Sequence, residues 1–411
     1  MTEPGNVTTS GVEGGRTGRL FLAASFPRPV IAVACCLIPV ACLLTACRPH
    51  DFPQYPPGYR EYAYVTNGDS GTVSVLDVVN VRLDREIQVG PNPVAVAASP
   101  TRNEVYVVTS GTPYVTGSVA VIHEKNFVAA QIPVHERPVS IDVAADGKLA
   151  YVANAGSSKI SVIDLIARRE IALIATGEEP VEARISPDGK TLVVPNRRGN
   201  SVSIIDTKAQ RVRSVFEDCP GASDAVVLPD SSKAFVACSA GHQVMAIMLA
   251  DSKFNPGGPD RMEALMDVGR APVHLALKPD GGELFVSNAQ SDTISEVVTT
   301  TDDVGGAYLI GDDPVRGIVS ADNSLLYVAA AHSSEVAMYS ILDGKRVGGP
   351  GIHVGDGPSA MAFSSAGHLL FVVDSRSGEV AVVRMLGHSL FTMLPAGHGP
   401  NAIAVKAFKA Q

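Results

Sequence analysis

Glu182, Asp224, His274 and Arg316 are the residues of this chain whose types and spacing most suggest chemistry. Each stands two residues beyond the start of a short apolar stretch, opened by Pro180, Pro272 and Pro314 in three copies and by Ala222 in the fourth. Four further copies hold Ala95, Ser140, Ala360 and Ala402 at the same place, so small residues are the rule and charged ones the departure. Asp142 and Arg184 lie two residues further along their own copies and join the set. Carboxylates beside an imidazole suit acid–base work, with His274 titrating nearest neutral pH. Carboxylates beside guanidinium groups suit mutual pairing of charges that could not be buried alone. The third chemistry is a polar pocket for a small anionic or mixed-charge ligand. Asp142, Glu182, Arg184, Asp224, His274 and Arg316 are therefore ligand-binding candidates, with His274, Glu182 and Asp224 the candidates for catalysis. No set of metal ligands is assigned.

These residues are positioned by a repeat. The stretch from Tyr64 to Asp77 reads strand, tight turn, strand, and copies of it begin at Tyr64, Tyr106, Tyr151, Val193, Phe235, Phe285, Tyr327 and Phe371. A period near forty residues marks a closed or stacked architecture. One copy parses into four strands, A to D, at residues 138–144, 150–153, 159–164 and 170–175. Turn-forming Ala145-Asp146-Gly147-Lys148 separates the first two. Four short antiparallel strands per repeat describe a propeller blade. Strands A and B each occur eight times, but the chain starts with B-C-D and stops with a lone A at residues 401–408. The last strand then completes the first blade and leaves no free edge at closure. The expected fold is an all-β propeller of eight blades, with seven the alternative if one copy is degenerate. Strand A lines the axis of such a ring. The D–A and B–C loops share one face, so the candidate set belongs at the channel mouth.

Tyr64-Val65-Thr66-Asn67, Val73-Ser74-Val75-Leu76-Asp77, Val89-Gly90 and Ser186-Pro187-Asp188-Gly189 resemble the YVTN-repeat β-propeller family over most of the chain. The resemblance implies an extracytoplasmic or cell-surface protein, and related propellers include lactonases and the haem-binding domain of nitrite reductases. It also implies that Asn67 orders the B–C loop. The equivalent positions are Thr109, Asn154, Asn196, Cys238, Asn288, Ala330 and Asp374.

Ahead of the repeats, Arg16, Arg19 and Arg28 precede a seventeen-residue apolar run at 30–46, an n-region followed by an h-region. The run ends in Leu44-Thr45-Ala46-Cys47, which resembles a bacterial lipobox and implies lipidation of Cys47; an uncleaved anchor is the alternative. Residues 1–46 are then a signal peptide, and 47–60 the lipidated Cys and a Pro-rich tether of about 40 Å. Residues 61–411 form the propeller. The expected address is the periplasm or cell surface, on a membrane through Cys47.

Net charge is −9 and the repeats contain no basic block, which excludes nucleic acid as a partner. Aromatics at 5% and the absence of Trp point to a core of Val, Ile, Ala and Leu. Serine-hydrolase, zinc-protease, nucleotide-binding and covalent-haem signatures are missing. Cys219 takes the Gly position of a D–A loop and Cys238 the Asn position of the same blade. A disulfide between them suits an oxidising compartment. Asn196, Arg197, Arg198, His242, Asn288, Asp313, His332 and Arg376 could extend a pocket, although each reads first as a solvated loop residue. The expected function is a monomeric binding or scaffold module for an envelope protein or a small molecule, without an assigned cofactor. The alternatives are a lactonase-like hydrolase, with or without a divalent metal, and a haem-binding propeller using His242, His274 or His332.

Overall fold

The computed structural model describes residues 55–408. The expected signal peptide, Cys47 and the tether as far as residue 54 lie outside the described residues. From Arg60 onward the chain forms eight antiparallel sheets arranged as the blades of a propeller. We count blades from Pro93, so that blade 1 holds strand A at Pro93–Ala98 and the closing blade is the eighth.

Strands B and C read as near-continuous apolar runs because each blade is covered on both faces by its neighbours. Tyr64, Val73 and Val75 of the closing blade pack with Val105, Val107 and Ile122 of blade 1. Alternate residues of the same two strands, Ala63, Val65 and Leu76, face the other way and pack with Phe371, Val373 and Val380 of blade 7. Each fully buried Val, Ile or Leu at such a contact contributes roughly 1.5–3 kcal/mol. Outermost strand D has one face toward water and is mixed in character, as in Arg82–Gln88. Between A and B the Asp-Gly turns close as expected: Gly147 has φ 69°, a conformation open to glycine at little cost.

Closure follows the anticipated pattern. Pro400–Phe408 pairs antiparallel with Arg60–Asn67, setting Ala63 opposite Val405 and Thr66 opposite Ala402. Thr66 also donates to Asn401 Oδ1 at 2.6 Å.

Two blades depart from the regular parse. Strand A of blade 3 shrinks to Arg184–Ile185 plus a bridge between Pro180 and Asn196. Strand D of blade 6 is split into Lys345–Arg346 and Ile352–His353. The lengthened connection before Arg261 is tied down through Asp260, which accepts from Arg213 at 2.7 and 2.8 Å and from Ser214 at 2.7 Å. The other long loop, residues 111–117, puts Tyr114 at the rim with 97% of its surface exposed.

Candidate functional site

Strand A is the innermost strand, so one of its edges faces the axis with no strand beside it. Its backbone N–H groups there need other acceptors. In most blades the ladder from A to B also shifts register just after the opening residue, between Pro272 and His274 for example. The position two residues beyond that opening lines the channel in every blade.

Three polar residues at that position, Glu182, Asp224 and His274, accept from the next blade in turn. Glu182 of blade 3 takes the Ala225 N–H of blade 4 at 3.1 Å, and Asp224 takes the Leu275 N–H of blade 5 at 2.8 Å. His274 Nδ1 takes the Gly317 N–H of blade 6 at 3.3 Å. Asp142 does the same one step along its strand, accepting from Ile185 of blade 3 at 3.1 Å. These four side chains therefore act as a ring of acceptors for the inner edge. Arg184 completes the cluster, donating to Glu182, to Asp142 at 3.5 Å and to the Ala225 carbonyl at 3.1 Å.

The relay stops at Arg316. A guanidinium has donors only and cannot accept a backbone N–H. Arg316 is exposed within the channel and makes no hydrogen bond or ion pair with the described residues. Burial, followed by the charges of Arg316 and Arg184, pulls His274 well below its ordinary pKa. The ring is therefore neutral at pH 7, which agrees with Nδ1 accepting from Gly317. Nε2 then carries the proton and lies 3.9 Å from the Asp224 carboxylate. Burial raises the Glu182 carboxyl, the Asp224 charge adds to the effect and Arg184 opposes it. Asp142 is likewise raised by burial, with Arg184 and the Ile185 N–H opposing.

The channel cavity measures about 400 Å³. Ala95, Ala360 and Ala402, with Met361 and Ile403, make its other wall small and apolar. The buried Ser140 hydroxyl has no partner.

The loop candidates separate into three groups. His332 pairs with Asp313 at 3.2 Å, and Arg376 pairs with Asp356 at 2.8 Å. Asn196 and Asn288 are buried structural residues. Arg197 and His242 line a second cavity of about 500 Å³ on the loop face, which shares Ser223 and Val273 with the channel.

The buried asparagines belong to a latch that was only half visible beforehand. Asn67 Nδ2 donates to Ser74 at 2.9 Å in strand C, and Ser74 also accepts the Gly397 N–H of the D–A loop at 3.2 Å. Asn288, Ser295 and Gly269 repeat this in blade 5 at 3.0 and 3.3 Å. A Cβ on Gly269 would fall 2.6 Å from Asn288 Cγ, so the loop closes only over glycine. Asn67 Nδ2 also donates to Thr72 at 2.9 Å across the B–C turn, so Asn67 orders that turn as the resemblance implies and fastens strand C, whose Ser74 in turn holds the D–A loop. The signal that could have found this is the Ser seven residues after Asn67, Asn154, Asn196 and Asn288. Where the Asn is lost as Cys238, Ala330 or Asp374, that Ser becomes Met245, Ala337 or Ala381. In blade 4 a disulfide between Cys219 and Cys238, with Cα atoms 4.8 Å apart, takes the place of the latch.

Among the described residues no three His, Cys, Asp or Glu side chains converge as a metal would require. Glu182 and Asp224 each spend one acceptor site on a backbone N–H of the next blade, and His274 spends Nδ1 in the same way.

No protein-family profile and no curated protein matches the chain. Solved structures match it as a fold. Apo AztD from Citrobacter koseri has a TM-score of 0.64 at 12% identity, over 86% of this chain and 99% of its own. A provisional 6-phosphogluconolactonase from Bacteroides fragilis gives 0.56 at 15%, over 86% and 99%. Kuenenia stuttgartiensis hydrazine synthase gives 0.54 at 23%, over 67% and 91%. At these identities the likeness is one of propeller architecture.

Proposed function

We propose that this protein is a lipid-anchored, extracytoplasmic propeller of YVTN-repeat type that binds a small anionic ligand at the mouth of its central channel. The observation that carries the binding reading is Arg316. Its cationic neighbour Arg184 and all four ring acceptors are committed within the protein, whereas Arg316 presents an unpaired guanidinium to the cavity. A ligand carboxylate or phosphate would supply the acceptors it lacks, in a site where the alanine wall leaves room. Two features support the extracytoplasmic reading: the apolar run ending in Ala46-Cys47, and a fully buried disulfide in blade 4.

Titration of the propeller with small carboxylates and phosphates at low salt tests the binding. Wild type should bind at least one of them, and Arg316→Gln should weaken it by roughly tenfold or more, the cost of losing a charge-assisted contact. Saturable binding by none of the anions would sink the reading. Lactone hydrolysis abolished by Glu182→Gln would replace it with the hydrolase alternative, and a visible absorption band after haem incubation with the haem alternative. Anchoring is tested separately by palmitate labelling in a bacterial host. The label should be present in the full chain and absent from Cys47→Ala.

A further inference from the structure

A second cavity adjoins the channel. Both cavities border Ser223 and Val273, so they lie side by side on the loop face at blades 4 and 5. We propose that the ligand is a linear molecule with an anionic group at each end, such as an α,ω-dicarboxylate. One end group would lie against Arg316 in the channel and the other against Arg197 in the outer cavity. This deepens the binding reading above and rests on it.

Three observations carry the inference. Arg197, like Arg316, is exposed and its guanidinium has no hydrogen bond or ion pair among the described residues, in a chain whose net charge is −9. Two uncommitted cations lining two adjoining cavities suit two anionic groups on one ligand. The stretch between them suits methylenes. Val273 and Ala271 are apolar, and the Ser223 hydroxyl is already spent on the Pro272 carbonyl at 3.0 Å. The outer cavity is also held in shape. Gly221 and Ser239, which line it, lie two residues and one residue beyond the cysteines of the Cys219–Cys238 disulfide. Two backbone bonds reinforce the joint, Ser239 N–H to the Gly221 carbonyl at 3.3 Å and Ala240 N–H to the Pro220 carbonyl at 2.9 Å. A preformed site lowers the cost of ordering a flexible ligand.

Linking two weak contacts in one molecule raises affinity only when the spacer matches the span. Calorimetric titration with linear monocarboxylates and α,ω-dicarboxylates of increasing length therefore tests the proposal, using wild type, Arg316→Gln and Arg197→Gln. Both arginines are exposed and unpaired, so neither change should disturb folding, and circular dichroism checks that. Dicarboxylates should show a length optimum at which they bind about ten- to hundredfold tighter than monocarboxylates. Arg197→Gln should remove that gain and bring dicarboxylates down to the affinity of monocarboxylates, whereas Arg316→Gln should weaken both series. Monocarboxylate binding with no length optimum, or an optimum indifferent to Arg197→Gln, overturns this inference and leaves the channel site standing. No binding by either series overturns the channel site as well.

Discussion

Asp374 stands where four other blades place an asparagine, and its environment gives it a distinct behaviour. Burial pushes its carboxyl up to about 7, the Glu379 and Asp356 charges add to this, and the Gly355 and Ala381 backbone amides oppose it. Neither carboxylate oxygen has a hydrogen bond of good geometry. Because the folded pKa exceeds the unfolded one, the folded chain binds the extra proton between about pH 4 and pH 7. Stability from this group is then full below about pH 4 and falls as pH rises toward 7, by at most about 4 kcal/mol. Asp374→Asn should flatten that slope and raise the melting temperature at pH 8. Denaturant melts at a series of pH values would show it, and an unchanged slope would refute it. The six candidate residues could be named from repeat alignment, but their roles could not be ranked. Glu182 and Arg316 look equally unusual in the sequence, and they part in the structure because a carboxylate can accept the backbone N–H of the next blade and a guanidinium cannot.

Among the elements, strand A shows how the candidates came to be charged. An inner edge with unpaired N–H groups accepts either small side chains or acceptors that reach across to the neighbouring blade, and blades 2 to 5 use acceptors. The latch between strand B, strand C and the D–A loop is the second local device. Its disulfide version in blade 4 encloses a sequence separation of 19 residues, and both cysteines are fully buried. The double change Cys219→Ser, Cys238→Ser should cost about 3 kcal/mol in denaturant melts under oxidising conditions. Restoring the common latch by Cys219→Gly and Cys238→Asn should not suffice, because Met245 stands where the serine acceptor is needed. Adding Met245→Ser should recover part of the loss; a triple variant no more stable than the double would show that the latch is not interchangeable. The long loop before Arg261 is anchored through Asp260 to Arg213 and Ser214 on strand D of the preceding blade, a contact with no signature along the chain.

For the whole molecule, period and frame were enough to specify eight four-stranded blades closed by the last strand. Strand patterning is a local property, written in apolar runs and Asp-Gly turns, and the ring follows once each blade must cover both faces of its neighbours. Side-chain commitments are decided differently. The bond from Glu182 to Ala225 joins residues on neighbouring blades, and the register shift at the head of strand A sets which of them meet. Closure likewise brings Thr66 to Asn401 across almost the full length of the ring. Sequence by itself therefore determined the architecture and the short set of places where the repeat is broken. Only the tertiary structure decided that most of those breaks satisfy the backbone of the next blade, leaving Arg316 without a partner, because hydrogen-bond partners across an interface have no signature along the chain.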